Sequence, residues 1–227
     1  MDARDERGHD DGIVMTTILL TGFGPFPGAP FNPTAPLVKR LTRLRRPALA
    51  DVTIVPHVFA TSYAAVDREL PKLIARHRPD ALLMFGLAPR TRFIRIETRA
   101  RNALALLPDA GGAKPRGRAI AAGKPHALTM PAPAVCLLAA ARAARLPAAL
   151  SRDAGRYLCN YLCWQAAFAA RKGPNLGPRI AGFVHVPNTN RKPLRRGRPG
   201  KNRRFTLDDL TRAGARILAE VAAAARR

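Results

Sequence analysis

The chain has 227 residues, 47% of them hydrophobic, and a formal net charge of +24. That length and composition suit one sizeable globular domain and exclude a disordered chain. Three cysteines are too few for a disulfide framework and fit reduced thiols, so the expected compartment is the cytoplasm.

The opening MDARDERGHDDG is polar and acidic and lacks the positive region of a signal peptide. Residues 1–14 therefore read as a disordered tail, with the folded domain expected over 15–227 and Met15 a candidate true start. The apolar IVMTTILL beside it falls far short of the about 20 residues a membrane span needs. TTILLTGF (16–23) is a short apolar run closing on a glycine turn, the pattern of a buried strand. After Asn32-Pro33, TAPLVKRLTRLRR reads as a helix from Thr34. DVTIVPHVF (51–59) reads as a strand, and the segment from Thr61 to Asp80 as a capped helix with a kink at Pro71.

ALLMFGL (81–87) is a further continuous apolar strand. FIRIETRARNALALL (93–107) alternates, which predicts extended structure beside the main sheet. Residues 108–130 are rich in Gly, Pro and basic side chains and read as a long excursion. Helices are expected over 132–146 and 154–172, and a strand over 179–187. The chain closes on an amphipathic helix with Thr206 as N-cap and Asp208 and Asp209 in its first turn. Strands that alternate with helices and are apolar throughout predict an α/β fold: one three-layer α/β/α domain with a mostly parallel central sheet.

The charge, 39 basic against 15 acidic residues, invites a nucleic-acid reading, carried by RLTRLRR (40–46) and by the loop RKPLRRGRPGKNRR (191–204). No nucleic-acid motif accompanies these runs and aromatic residues are scarce, so a solvated, arginine-rich surface is the favoured account.

The glycines of TGFGPFPG follow a strand but lack the spacing of a dinucleotide or P-loop cradle, and Phe23 and Phe26 crowd the turn. Aromatic rings at a strand end suit an apolar pocket. Elsewhere a thiol, an imidazole and a carboxylate stand out. Cys159 falls near a helix start, where the macrodipole and free N–H groups favour a thiolate. Cys163, one turn later, reads as a small apolar core residue. His185 ends a buried strand, where α/β sheets place their sites, although a satisfied structural histidine is the commoner reading of that position. Glu97 lies in an alternating apolar stretch, where pairing with Arg95, Arg99 or Arg101 is the plain alternative to a catalytic role.

Four segments in order, LLTGFGPFPGAPFNPT, GLAPRTRFIRIETRARN, SRDAGRYLCNYL and GFVHVP, with PDAGGAKP between the second and third, resemble the pyroglutamyl-peptidase I family, peptidase family C15. The resemblance spans most of residues 16–225. It implies a cysteine exopeptidase that removes N-terminal pyroglutamate from peptides, needs no cofactor or metal, and is commonly a homotetramer in bacteria. It places the nucleophile on Cys159, the general base and acid on His185, the orienting carboxylate on Glu97 and the pocket phenylalanines on Phe23 and Phe26. The chain departs from the family in the GLAPRTR turn, where the family's arginine position holds Thr91. Arg90 and Arg92 flank it and are the candidates for the oxyanion region. Two rivals follow: a divergent member acting on another N-terminal acyl or lactam group, and a basic nucleic-acid-binding protein.

Overall fold

The computed structural model describes residues 15–173, 176–189 and 205–227, so the expected tail (1–14) and the basic loop (191–204) lie outside the described residues. Among the described residues, eight strands and five α-helices follow in the order β1 (Thr16–Phe23), α1 (Thr34–Thr42), β2 (Val52–Phe59), α2 (Tyr63–His77), β3 (Ala81–Leu87), β4 (Ile94–Glu97), β5 (Arg99–Arg101), β6 (Ala127–Thr129), α3 (Ala134–Ala143), β7 (Ala148–Ser151), α4 (Leu158–Ala170), β8 (Ile180–Val186) and α5 (Leu207–Ala225). Six strands form one sheet in the order β2-β1-β3-β8-β4-β7, and β5 and β6 pair in a separate ribbon. Strands β2, β1, β3 and β8 are mutually parallel; β4 runs antiparallel to β8 and carries β7 parallel to itself. The sheet is thus mostly parallel, as its apolar strands predict.

Strand periodicity sorts the side chains onto two faces. Ile18, Leu20, Leu83, Phe85, Ile94, Ile96, Val184 and Val186 pack with α1, α3 and α5. Leu19, Phe23, Leu82, Met84, Ala181 and Phe183 pack with α2 and α4, where Trp164 is fully buried. Three layers result, and the inner strands β1, β3 and β8 are buried on both faces, which is why they are apolar without alternation.

Several segments differ from expectation. The alternating run after Phe93 does not stay beside the sheet: Ile94–Glu97 enters it between β8 and β7, and only Arg99–Arg101 joins the separate ribbon. β7 is four residues long and gives no periodic signal, yet it forms the sheet's edge. α2 runs through Pro71 as expected, but its N-cap residue Ser62 makes no side-chain cap hydrogen bond. α1 stops at Thr42, partway into the basic run 40–46. α5 begins with a capping box: the Thr206 hydroxyl accepts from the Asp209 N–H at 3.1 Å, and the Asp209 carboxylate accepts from the Thr206 N–H at 3.0 Å. Among the described residues no helix is long and apolar enough to cross a membrane.

Candidate active site

The site lies where β3, β8 and β4 meet the first turn of α4. His185 and Phe183 are on the α4 face of β8, and Arg95 and Glu97 are on the same face of β4, because Ile94, Ile96 and Val184 take the other. The antiparallel register sets Arg95 opposite His185 and Glu97 opposite Phe183. The sequence segments therefore converge through long-range pairing, not through proximity in the chain.

His185 Nδ1 lies 2.7 Å from Glu97 Oε1, and the carboxylate side chain is fully buried. With Nδ1 committed to Glu97, the other ring nitrogen is the one left for Cys159, whose charge acts on the ring. Cys159 is the second residue of α4, after the N-cap position Tyr157, so the N–H groups of that turn have no partner within the helix. Its sulfur faces Gly86 of β3, which is the register partner of His185. A buried charge is costly unless it is paired, and here each one is. Burial opposes the charge on His185, but the Cys159 charge, the Cys159 hydrogen bond and Glu97 outweigh it and push the ring up to about 9. Burial likewise opposes ionisation of Glu97, but the hydrogen bond and charge of His185, the neighbouring Ser151 hydroxyl and Arg95 hold its carboxyl below the ordinary value. Burial, reinforced by the charges of Glu97 and Cys159, pushes the Cys163 thiol well up. Cys163 is completely buried and belongs to the core, as its spacing predicts.

The remaining candidates are placed as follows. Phe23 is buried at the end of β1 against Phe59, with ring centroids 6.0 Å apart. Phe26 is half-buried in the following turn, where its backbone exchanges two hydrogen bonds with Ala29. That turn is held by Thr34, whose hydroxyl accepts from the Phe23 N–H at 3.0 Å, and by Asn32, whose amide donates to the Gly24 carbonyl at 3.1 Å. Arg90 and Arg92 are both exposed in the turn after β3, and the Thr91 hydroxyl donates to the Ala88 carbonyl at 2.9 Å. His57 lies 2.9 Å from Glu69 and takes no part in the site.

Two residues around the site escaped the sequence reading as functional. Asn160, fully buried beside Cys159, accepts from the Arg101 N–H at 2.8 Å and donates to the carbonyls of Arg101 at 2.8 Å and Ala103 at 3.0 Å. It fastens β5 across the entrance of α4. Its signal was its place beside Cys159 in SRDAGRYLCNYL. Arg95 appeared only as a rival explanation for Glu97; the structure has the carboxylate meeting both Arg95 and His185. Among the described residues no group of three or more His, Cys, Asp or Glu side chains is placed to hold a metal ion.

The arrangement is a thiol, an imidazole and a buried carboxylate in series, the ordering that nucleophilic acyl transfer requires. Comparison with known proteins gives the following relatives. The profile of the pyroglutamyl peptidase family matches residues 16–217. The pyrrolidone-carboxylate peptidase of Thermococcus kodakarensis is 31% identical over 209 residues, covering 87% of this chain and 98% of the relative. That of Clavibacter michiganensis is 32% identical over 186 residues, covering 82% and 84%. Among solved structures, pyroglutamyl peptidase I from Bacillus amyloliquefaciens aligns with a TM-score of 0.77 at 28% identity, over 92% of this chain and 97% of that one. The pyrrolidone carboxyl peptidase of Thermococcus litoralis aligns with a TM-score of 0.79 at 28% identity, over 91% and 93%.

Proposed function

The chain belongs to the pyroglutamyl peptidase family, and from that premise we propose that it is a cysteine exopeptidase that hydrolyses N-terminal pyroglutamate from peptides, with residues 15–227 as its catalytic domain. The observation that carries the mechanism is the 2.7 Å contact of His185 with Glu97, with the Cys159 sulfur facing Gly86, the register partner of His185. Cys159 gives its proton to His185 and attacks the carbonyl that joins pyroglutamate to the next residue. The C–N bond breaks as His185 delivers that proton to the departing amine. The pyroglutamyl group is left as a thioester on Cys159. His185 then takes a proton from water, the resulting hydroxide attacks the thioester, and pyroglutamate leaves as the sulfur is restored. Glu97 keeps the ring oriented and stabilises its charged form.

The oxyanion of each tetrahedral intermediate is assigned to the N–H groups at the start of α4, with Arg90 or Arg92 as additional donors. The flat lactam is assigned to Phe26 at the turn, with Phe23 as the floor behind it. A free thiolate nucleophile calls for a reducing compartment such as the cytoplasm. A homo-oligomer is part of the same proposal and is read by light scattering. A second reading, action on another N-terminal acyl or lactam group, is favoured by Thr91 at the family's arginine position.

A chromogenic pyroglutamyl amide, with Cys159→Ser as control, tests the proposal. Prompt hydrolysis lost in the control supports it. No turnover while Cys159 is still readily alkylated leaves the second reading, and no turnover with an inert Cys159 thiol ends both.

A further inference from the structure

We infer that Arg95 is a positioning residue of this site, serving as the standing counter-ion of Glu97 and tying that carboxylate to the loop that delivers Cys159. The inference rests on the reading that Cys159, His185 and Glu97 act together. The Arg95 Nη2 atom sits among three oxygens: Glu97 Oε1 at 2.8 Å, Ser151 Oγ at 2.9 Å, and the carbonyl of Asp153. Ser151 is the register partner of Glu97 on β7. Asp153 belongs to the SRDAGRY segment that leads into α4, where Gly155 takes a φ of +83° and its N–H donates to the Asp153 carboxylate at 3.0 Å. One guanidinium thus joins the orienting carboxylate, the edge strand and the approach to the nucleophile.

The electrostatic part follows from which charges coexist. The ionisable groups facing Glu97 and His185 are Arg95 from β4 itself and Cys159 and Cys163 from α4. While His185 is charged, Glu97 has two cations at Oε1; its other oxygen, Oε2, is buried without a hydrogen-bond partner among the described residues. When His185 gives its proton to a leaving amine, Glu97 without Arg95 would become an unpaired buried anion, a state of high free energy. Arg95 stays in place through that step and keeps the carboxylate compensated. It therefore makes the imidazolium a readier acid. Removal of Arg95 has a definite sign: the anion without a second cation holds the charged ring more tightly, so His185 loses its proton at higher pH.

Histidine side-chain 15N NMR on the full chain, with His185→Asn identifying the resonance, reads this titration without any substrate. In Arg95→Met the His185 midpoint is expected to rise by about half a pH unit or more, whereas Arg95→Lys, which retains the charge, stays close to wild type. kcat for the pyroglutamyl amide falls about tenfold or more in Arg95→Met with KM little changed, because the loss is in proton donation and not in binding. An unchanged or lowered midpoint in Arg95→Met, or an equal rise in Arg95→Lys, overturns the inference. Arg95→Gln carries the same expectation if the methionine variant fails to fold, and failure of both neutral variants to fold would mean a structural prop and also overturn it. Absence of wild-type turnover would remove the functional reading, while the NMR midpoints would still decide whether Arg95 sets the titration of His185.

Discussion

Gly86 and Cys159 are packed so closely that a Cβ at position 86 would lie 2.8 Å from the Cys159 sulfur and 2.6 Å from the Phe183 ring. The Cys159 sulfur has room beside His185 only because β3 presents no side chain at that point. Gly86→Ala must displace the sulfur, the Phe183 ring or both. It is expected to lower kcat/KM by about 100-fold or more, as misplacement of a reacting group does, and to cost about 1–3 kcal/mol of stability through overpacking. Steady-state kinetics and urea unfolding check the pair of outcomes. Full activity in Gly86→Ala would show that the sulfur does not need this space.

His185 gives stability a pH dependence of known sign. Its folded-state value, pushed up to about 9, exceeds the ordinary 6.5. The stabilisation is therefore complete below about 6.5 and is lost as the pH rises toward 9. Across that window wild-type stability should fall by up to about 3 kcal/mol more than that of His185→Asn. Chemical unfolding of both proteins at several pH values measures the difference; parallel pH curves would contradict it.

After burial, which lowers the value, the Cys159 charge is the strongest influence on His185. Carbamidomethylation of Cys159 removes that charge, so the His185 resonance is expected to titrate at lower pH in the alkylated protein. The same NMR titration reads it. The two α4 thiols should also separate under native alkylation, since Cys163 is completely buried. Peptide mapping should find label on Cys159 and none on Cys163 until the protein unfolds.

Asn160 makes three hydrogen bonds to the backbone of Arg101 and Ala103. Asn160→Ala leaves the part-buried Arg101 N–H and the carbonyls of Arg101 and Ala103 without these partners, at a cost of about 1–3 kcal/mol. Because the bonds fasten β5 across the turn that holds Cys159, kcat should fall as well in the variant that remains folded. Thermal melts and kinetics at a temperature below both transitions separate the two effects.

Arg90 and Arg92 provide a prediction that discriminates between them. The residue that assists the oxyanion lowers kcat when changed to Ala, by about 10-fold to 1,000-fold, while the other change is nearly silent. Equal, small effects from both would assign the oxyanion to backbone N–H groups alone.

Much of this was legible in the chain itself. Long apolar runs such as ALLMFGL and RIAGFVHVP fix buried strands through burial on both faces, a local property. Cys159 could be placed near a helix start because the apolar segment and the turn before it are local too. The setting of Glu97 was not legible. Its strand is four residues long, enters the sheet against the prevailing direction, and takes its other neighbour from AALS, which has no periodic signature. Those are pairings between distant segments, settled by the whole sheet and not by any window of sequence. For the same reason Arg95 appeared as a competitor of His185 for Glu97, when the carboxylate accommodates both.

Ile18 and Leu20 of β1, Leu83 and Phe85 of β3, Ile94 and Ile96 of β4, and Val184 and Val186 of β8 face α1, α3 and α5, while the positions between them face α2 and α4 with its cysteine. The sheet is thus a partition between two workshops. Substitutions that fill or tighten the α1/α3/α5 side are screened from the reacting atoms by a full layer of backbone. Repacking on that side leaves the sulfur untouched, whereas across the partition even a methyl group at Gly86 reaches it.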